Sequence, residues 1–350
     1  MTADDTTTVD AVVLGMGPGG EDLAGHLATS GLSVVGIDAG LVGGECPYWG
    51  CVPSKMMIRA ANLIAEARRI PGMAGTSSVT PDWSPVAARI RTEATDGWDD
   101  TVAVDRFVGK GGTFVRGHGR LVAPDTVDAA GHRYRATRAV VLATGTTAAI
   151  PPIPGLSDTP YWTNRRAVEA EALPASLVVL GGGAIGVELA QAFARFGVEV
   201  TVVEAADRLL PLEEPEAGAL LAEVFQRDGI EVITKTAANL VSHDGKFHVV
   251  LGDGRSVVAE ELLVATGRRA DLAAIGAEVL GVDPVTARAL PVDENMRVTD
   301  GVWAVGDVTG KGAFTHVAMY QSNIAAADIL GQPHTPADYS AVAKGDVHGP

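Results

Sequence analysis

The chain has 350 residues, which corresponds to about two domains at the usual size of roughly 100–200 residues each. It carries 27 Lys and Arg residues against 43 Asp and Glu residues, a net charge of −16, and it has no basic block that could follow a phosphate backbone. This balance argues against a nucleic acid partner. Its apolar runs are strand-sized and far shorter than the roughly 20 residues of a membrane helix, so we expect no membrane attachment.

The terminal and cysteine content indicate the compartment. The first nine residues are acidic and rich in threonine, and they contain neither a cationic segment nor an apolar signal core. Only two cysteines occur, too few for the disulfide framework of a secreted protein. We therefore expect a cytoplasmic location. Glycine is enriched, with 42 residues, about 12% against about 7% in average proteins, so the backbone must approach something closely at several places.

The sequence contains an internal repeat. Each copy is a short apolar strand that runs into a G-x-G-x-x-G turn, then a helical pattern and a second strand that ends in an acid. In both copies the acid follows the first glycine by 23 residues. The glycines and the acid are Gly15, Gly17, Gly20 and Asp38 in the first copy, and Gly181, Gly183, Gly186 and Glu204 in the second.

This pattern is the fingerprint of dinucleotide binding. The glycines permit a tight turn and let backbone N–H groups approach a pyrophosphate at the positive end of the helix, while the acid accepts the ribose hydroxyls. Two fingerprints predict two bound nucleotides. Glu204 is followed by two alanines, which offer nothing cationic to a 2′-phosphate, so NADH is favoured over NADPH at the second turn. Arg208 is the one nearby residue that keeps NADPH open.

Two β-rich segments and a proline-rich linker lie outside the two copies. Short β-like runs with turn residues over Thr113–Ala143 and again over Glu231–Leu263 predict two small antiparallel meanders. Each meander ends in an Ala-Thr-Gly sequence, at residues 143–145 and 265–267. The proline-rich stretch Ile150–Leu156 is the expected linker, because a helix cannot pass through it.

The two cysteines, Cys46 and Cys51, lie just after the first strand–turn–helix–strand copy. They could be inert buried thiols, part of a zinc site or a redox-active disulfide. A closed zinc site needs four ligands, and the sequence has no further His or Cys cluster to supply them, so no metal is expected. Inert thiols stay open. A redox pair is favoured because residues 52–55 begin a helix, whose N-terminus together with Lys55 would stabilise a thiolate at Cys51.

Taken together, the motifs resemble the class I pyridine nucleotide-disulfide oxidoreductases, the flavoprotein family of dihydrolipoamide dehydrogenase, glutathione reductase and mercuric reductase. The resemblance covers roughly residues 9–343 in family order. The matching segments are GMGPGG (15–20), GGECPYWGCVPSK (43–55), ATG followed by PPIPG (143–155), GGGAIGVELA (181–190), ATGRRAD (265–271), AVGDV (304–308) and FTHVAMYQ (314–321).

The resemblance implies that FAD binds through the first fingerprint and NAD(P)H through the second. It implies that Cys51 is the thiol next to the flavin and that Cys46 is the interchange thiol that attacks the substrate. Lys55 would lie near the reactive nitrogen of the flavin, paired with Glu188. Besides the fingerprint residues, the implied cofactor contacts are Pro18, Gly19, Gly44, Thr144, Gly145, Gly267, Gly306, Asp307 and His316.

The sequence departs from the family in two places. Glu45 replaces the usual Thr, and the loop between the cysteines reads Pro47-Tyr48-Trp49-Gly50, which leaves the substrate undefined; we expect Tyr48 and Trp49 to pack over the flavin edge. The family's third domain, which forms the homodimer interface and supplies a His-Glu acid–base pair, is expected to be missing. Residues 344–350 are expected to be an unstructured tail, with His348 solvated.

We therefore predict an α/β protein with two Rossmann-like dinucleotide-binding domains in three layers, with small antiparallel meanders. The FAD domain would comprise residues 1–150 and 285–343, interrupted by an NAD(P)H domain at 151–284. The predicted enzyme passes a hydride from NADH to FAD and on to the Cys46–Cys51 disulfide or a small acceptor, like dihydrolipoamide dehydrogenase or mercuric reductase. The alternative is a nucleotide-binding flavoprotein without disulfide turnover, acting as a sensor or assembly partner.

Overall fold

The computed structural model describes residues 6–342. The tail expected at 344–350, with His348, lies outside these residues. The described chain forms two compact units: unit 1 consists of residues 6–46, Trp98–Thr147 and 269–342, and unit 2 of Pro47–Gly97 and Ala148–Arg268. The FAD and NAD(P)H domains were predicted from the residues expected to bind each cofactor, and their boundaries stay a prediction.

The strands are β1 (Thr6–Leu14), β2 (Val34–Asp38), β3 (Thr113–Arg116), β4 (Gly119–Ala123), β5 (Thr126–Ala129), β6 (His132–Leu142), β7 (Thr147–Ala148), β8 (Ser176–Leu180), β9 (Glu199–Val203), β10 (Glu231–Ile233), β11 (Ala238–His243), β12 (Phe247–Leu251), β13 (Ser256–Ala259), β14 (Glu261–Val264), β15 (Arg268–Arg269), β16 (Arg297–Thr299) and β17 (Val302–Ala304). The α-helices are α1 (Pro18–Thr29), α2 (Glu45–Tyr48), α3 (Cys51–Arg69), α4 (Ser84–Arg89), α5 (Thr101–Gly109), α6 (Asn164–Val168), α7 (Ala184–Arg195), α8 (Pro215–Arg227) and α9 (Thr315–Ile329). Over residues 6–342, no helix is both long and apolar enough to cross a bilayer.

Unit 1 is built on a sheet with the strand order β16-β17-β6-β1-β2-β3. β1 runs parallel to both of its neighbours, and the first repeat forms the predicted unit β1-α1-β2. Successive side chains of a strand point to opposite faces of its sheet. Val13 accordingly lies in a core with side chains of α1, α5 and α9, whereas Val12 and Leu14 lie in a second core with the β4–β5 hairpin. The unit therefore has three layers.

Unit 2 repeats this plan. Its parallel sheet has the order β10-β9-β8-β14, and the second repeat forms β8-α7-β9. On one face, Val178 and Leu180 share a core with Phe247 and Val249 of the antiparallel sheet β11-β12-β13. α3 packs along α7. Because both faces of the parallel sheet are covered, the last four residues of β8 and of β9 are all buried rather than alternating in exposure.

The end strands of the two predicted meanders have different partners from those expected. β3 pairs in parallel with β2, and β6 pairs in parallel with β1 along most of its length. In unit 2, β10 and β14 likewise join the parallel sheet. The expected antiparallel pairing is found for β4-β5-β6 and for β11-β12-β13. Local alternation of apolar residues identifies a strand, but the connections on either side decide its neighbour.

A partly buried carboxylate joins the edge of the unit 1 sheet to α9. Asp328 accepts a hydrogen bond of 3.0 Å from Nη2 of Arg297 and one of 2.8 Å from Nε1 of Trp303, and its side chain is only 10% exposed. Burial alone would raise the pKa of Asp328, but the hydrogen bonds from Arg297 and Trp303 outweigh it and leave the pKa below its ordinary value of 3.8. The ionised form is thus stabilised by folding.

We expect Asp328→Asn to lower the free energy of unfolding by about 1.5–3 kcal/mol at pH 7, because charged hydrogen bonds to a buried acceptor are lost. Since folding lowers this pKa, the contribution is complete above pH 3.8 and disappears as the pH falls through the lower folded-state value. Urea unfolding from pH 3 to pH 7 measures it. The exposed Asp300→Asn is the control, and a difference that does not vary with pH would contradict this account.

Candidate functional site

The first glycine of each fingerprint occupies a conformation and a space that only glycine suits. Gly15 and Gly181 have positive φ angles of 96° and 110°. A Cβ at Gly15 would lie 2.4 Å from the carbonyl oxygen of Ala143, and one at Gly181 would lie 2.3 Å from that of Ala265. The end of the strand therefore passes directly against the neighbouring Ala-Thr-Gly segment in both units.

The third glycine presses the helix onto this turn. A Cβ at Gly20 would lie 2.0 Å from the carbonyl oxygen of Gly15, and one at Gly186 would lie 2.1 Å from that of Gly181. No side chain can be accommodated at these distances. Both positions are thus required by the packing of the protein itself.

The middle glycine is different. Gly17 and Gly183 have ordinary φ angles of −67° and −78°, and a Cβ at either would meet nothing within 4 Å. Neither the backbone nor the protein packing requires glycine there. The open space lies where α1 and α7 begin, and a helix N-terminus attracts a phosphate. The cradle at each turn therefore fits a dinucleotide whose pyrophosphate approaches the backbone.

The two acids are held in the same way at the two turns. In each repeat, one carboxylate oxygen accepts from the residue after the first glycine, and the other accepts from the residue two positions beyond the acid. The distances are 2.6 Å from Met16 and 2.7 Å from Gly40 to Asp38, and 2.6 Å from both Gly182 and Ala206 to Glu204. Each carboxylate oxygen has a further lone pair, so both acids can still accept ribose hydroxyls.

Arg208 directs its guanidinium toward its own loop. Its Nη2 donates to the carbonyl oxygens of Pro211 at 3.0 Å and Glu213 at 3.3 Å, and its Nη1 lies 3.5 Å from the carboxylate of Asp207. The guanidinium of Arg208 therefore already contacts acceptors of its own loop.

Several of the other predicted contacts gather around the first turn. Thr144 and Gly145 follow β6 and Ala143. The N–H of Ala143 donates to the carbonyl oxygen of Leu14 at 2.7 Å. Pro18 begins α1, and Gly19 lies against Ala318 of α9. In unit 2, Gly267 follows β14 in the corresponding position, and its carbonyl oxygen accepts from Ala149 at 2.9 Å. His316 is exposed at the start of α9 and stacks on Phe314 with ring centroids 5.4 Å apart.

A hydrogen-bonded chain supports Asp307, which also accepts from Thr146 at 3.0 Å. Gly306 has a positive φ of 81°, and its N–H donates to Oε1 of Gln321 at 2.6 Å. Gln321 is completely buried, and its Nε2 donates to the hydroxyl of Tyr339 at 2.8 Å. Gln321 was not among the predicted site residues. The available signal was its amide on the buried face of α9, whose other members are Val317, Ala318, Ser322, Ile324, Ala325 and Ala326.

The segment that carries the cysteines starts against the first turn. Gly44 has a φ of 66°, and a Cβ there would lie 2.9 Å from the Cα of Gly17. Cys46 follows in α2, and Cys51 is the first residue of α3; both are partly buried. The helix N-terminus expected to favour a thiolate therefore lies at Cys51, and the thiolate itself stays a prediction.

The loop between the cysteines has neighbours that the sequence did not indicate. Nε1 of Trp49 donates to Glu169 at 2.7 Å, and the Trp49 carbonyl oxygen accepts from Nδ2 of Asn164 at 3.2 Å. The guanidinium of Arg165 lies 4.2 Å from the centre of the Trp49 ring. Tyr48 is buried beside Trp49, with ring centroids 5.8 Å apart.

Lys55 is exposed on α3, and Glu188 is partly buried on α7. The two helices pack against each other, but the pairing of these two side chains stays a prediction. Over residues 6–342, no group of three or more His, Cys, Asp and Glu side chains could hold a metal ion.

The family model described as pyridine nucleotide-disulphide oxidoreductase matches residues 9–322. The chain belongs to this family. Pyridine nucleotide-disulphide oxidoreductases are FAD-dependent and bind NAD(P).

Among the curated members, a mercuric reductase from Acidithiobacillus ferrooxidans is 33% identical over an alignment of 341 residues that covers 94% of this chain and 61% of that protein. A dihydrolipoyl dehydrogenase from Chlamydia pneumoniae is 32% identical over an alignment of 345 residues that covers 96% of this chain and 73% of that protein. The chain spans 52–61% of the length of three mercuric reductases that it matches.

Solved structures of family members agree with the fold. LpdA from Mycobacterium tuberculosis has a TM-score of 0.83 and 29% identity, covering 97% of this chain and 75% of that one. The HOCl-induced flavoprotein disulfide reductase RclA from Escherichia coli has a TM-score of 0.81 and 27% identity, covering 93% of this chain and 72% of that one. The predicted α/β class with two dinucleotide-binding folds is confirmed.

The open space at the middle glycines generates a prediction. We expect Gly17→Ala and Gly183→Ala each to weaken dinucleotide binding at its own turn by at least about tenfold, while costing no more than about 1 kcal/mol of stability, the usual loss for alanine at a helix N-cap. Retained flavin and NADH titration measure binding, and urea unfolding of the flavin-free chain measures stability.

Gly20→Ala is the contrasting variant. Its Cβ would meet the carbonyl oxygen of Gly15, so it should destabilise the flavin-free chain by about 1–3 kcal/mol or more. If Gly17→Ala bound its dinucleotide like the wild type, the open space would not be a ligand site.

Proposed function

We propose that the protein is an oxidoreductase that uses NADH, through bound FAD, to reduce a disulfide formed by Cys46 and Cys51. The observation that carries this proposal is the contact of Gly44 with Gly17, which joins the cysteine segment to the first dinucleotide turn. A redox couple and a dinucleotide cradle are thereby built from one continuous stretch of chain. Overall, NADH loses a hydride, and the disulfide takes up two electrons and two protons, one of them from solvent.

The two cofactors are assigned by family likeness to the two turns. FAD would be held in the domain of residues 1–150 and 285–343 by Gly15, Gly17, Pro18, Gly19, Gly20, Asp38, Gly44, Thr144, Gly145, Gly306, Asp307 and His316. NADH would be held in residues 151–284 by Gly181, Gly183, Gly186, Glu204 and Gly267. Bound FAD would supply a two-electron carrier between the nicotinamide and the sulfurs.

The residues around the sulfurs would prepare them for this chemistry. The N-terminus of α3 would stabilise a thiolate at Cys51, the thiol proposed to lie next to the flavin. Cys46 would be the thiol that attacks the acceptor. Lys55 would place a cation beside the flavin, with Glu188 as its counter-charge.

The acceptor is proposed from the relatives. Their names cover mercuric reductases, dihydrolipoyl dehydrogenases and a flavoprotein disulfide reductase. A small disulfide or a soft metal ion, each of which reacts with a thiolate, would suit Cys46.

The preference for NADH is supported by the charges at the second turn. The Glu204 carboxylate would repel a 2′-phosphate, and Arg208 is engaged by carbonyl oxygens of its own loop. We therefore propose NADH as the reductant. The cytoplasmic location expected from the sequence is part of the same proposal.

Disulfide turnover is tested by anaerobic titration of the flavin-loaded chain with NADH. We expect two alkylatable thiols to appear per chain, together with a long-wavelength absorbance band from thiolate to flavin. Cys51→Ser should abolish both. If the flavin is reduced without new thiols, identically in the wild type and Cys51→Ser, the protein transfers electrons without disulfide turnover. A folded chain that binds no flavin would contradict the whole proposal.

Nucleotide choice is tested by comparing kcat/KM for NADH and NADPH. We expect the wild type to prefer NADH by at least roughly tenfold, a difference of about 1.4 kcal/mol. Glu204→Gln should narrow the ratio because it removes the charge that opposes the 2′-phosphate. Arg208→Ala should leave the ratio unchanged; a selective loss of NADPH use in this variant would instead show that Arg208 binds the phosphate.

A further inference from the structure

Trp49, in the loop between the two cysteines, is held by residues of the stretch 164–169. The indole Nε1 of Trp49 donates to Oε1 of Glu169 at 2.7 Å, and Nδ2 of Asn164 donates to the Trp49 carbonyl oxygen at 3.2 Å. One contact fixes the side chain of Trp49 and the other fixes its backbone. The loop is therefore restrained in both position and orientation.

Charge strengthens this arrangement. The guanidinium of Arg165 lies over the face of the Trp49 ring, 4.2 Å from its centre, where the ring is electron-rich. The Glu169 carboxylate accepts a charge-assisted hydrogen bond from the N–H at the edge of the same ring. The indole thus interacts with a cation on its face and with an anion at its edge.

The stretch that supplies these partners is itself fixed to unit 2. Ala167 and Val168 of α6 are buried. Just before α6, the N–H of Trp162 donates to Leu262 at 2.7 Å, and its carbonyl oxygen accepts from Val264 at 2.8 Å. Leu262 and Val264 belong to β14 of the parallel sheet. A side chain held by α6 is therefore held by the sheet.

We propose that Trp49, Asn164, Arg165 and Glu169 form a clamp that positions the cysteines and sets the stability of their disulfide. The inference rests on the proposed function, in which Cys46 and Cys51 form that bond. A disulfide requires Cα atoms about 4.4–6.8 Å apart with a defined dihedral angle. A restrained loop raises the effective concentration of one thiol at the other, because less chain entropy is lost on closure. These four are positioning residues, and none of them exchanges electrons.

The test measures the thiol–disulfide equilibrium of the full flavin-loaded chain. The protein is equilibrated anaerobically with mixtures of reduced and oxidised dithiothreitol: the two protein thiols lose two electrons and two protons to form the S–S bond, and oxidised dithiothreitol takes them up. The reduced fraction is counted by alkylation and mass spectrometry. In Trp49→Ala we expect the equilibrium constant for disulfide formation to fall roughly tenfold, a shift of about 30 mV toward a less negative potential.

Two milder variants separate the clamp from general packing. Trp49→Phe keeps a ring but loses the Nε1 donor, and Glu169→Gln keeps an acceptor but loses the charge. Each should shift the potential in the same direction by a smaller amount. Because both act on one hydrogen bond, the double variant should shift it no further than the larger single one. Arg166→Ala is the control, since Arg166 is exposed on α6 and its charge acts on Glu261.

Flavin content and thermal unfolding of each variant establish that it is folded. An unchanged or more negative potential in folded Trp49→Phe and Glu169→Gln would overturn the clamp, as would an equal shift in Arg166→Ala or additive shifts in the double variant. A wild-type chain that forms no Cys46–Cys51 disulfide at any dithiothreitol ratio would instead overturn the proposed function, and the clamp with it.

Discussion

The structure depends on how closely a helix approaches the end of a strand. At Gly20 and Gly186, the backbone carbonyl of the first fingerprint glycine lies where a Cβ would be, at 2.0 and 2.1 Å. This approach brings the N-terminus of the helix to the carboxyl edge of the parallel sheet and leaves the space before Gly17 and Gly183 open. The same backbone geometry therefore creates both the tight turn and the cradle beside it, once in each unit.

The cysteine segment has neighbours within each unit. In unit 1, Gly44 lies against the Gly17 turn. In unit 2, Trp49 is held by residues 164–169, and α3 packs along α7. Restraints of this kind would favour the proposed disulfide, since bond formation between two sulfurs tolerates little variation in distance.

The features that could be predicted from the sequence are those that depend on the spacing of nearby residues. The equal 23-residue intervals ending at Asp38 and Glu204 identified both turns, and the structure holds both carboxylates alike. Strand partners were less predictable, because the position of β3 beside β2 depends on the crossover between them. The partners of Trp49 lie up to 120 residues away in the chain, and no local pattern joins them. Gln321 lies within the matching segment 314–321, but its hydrogen bond with Gly306 is formed only in the folded chain and is not written in the spacing.

Two carboxylates of unit 1, those of Asp328 and Asp100, have a consequence for the outer strands of its sheet. Along the order β16-β17-β6-β1-β2-β3, the first strand carries Arg297, held by Asp328, and the last carries Arg116, held by Asp100. Exposed edges offer unpaired backbone groups to other chains, and short edges bearing fixed charges discourage such additions. β16 and β3 therefore each carry an arginine that is held by an ion pair, and these charges oppose edge-to-edge aggregation at both strands.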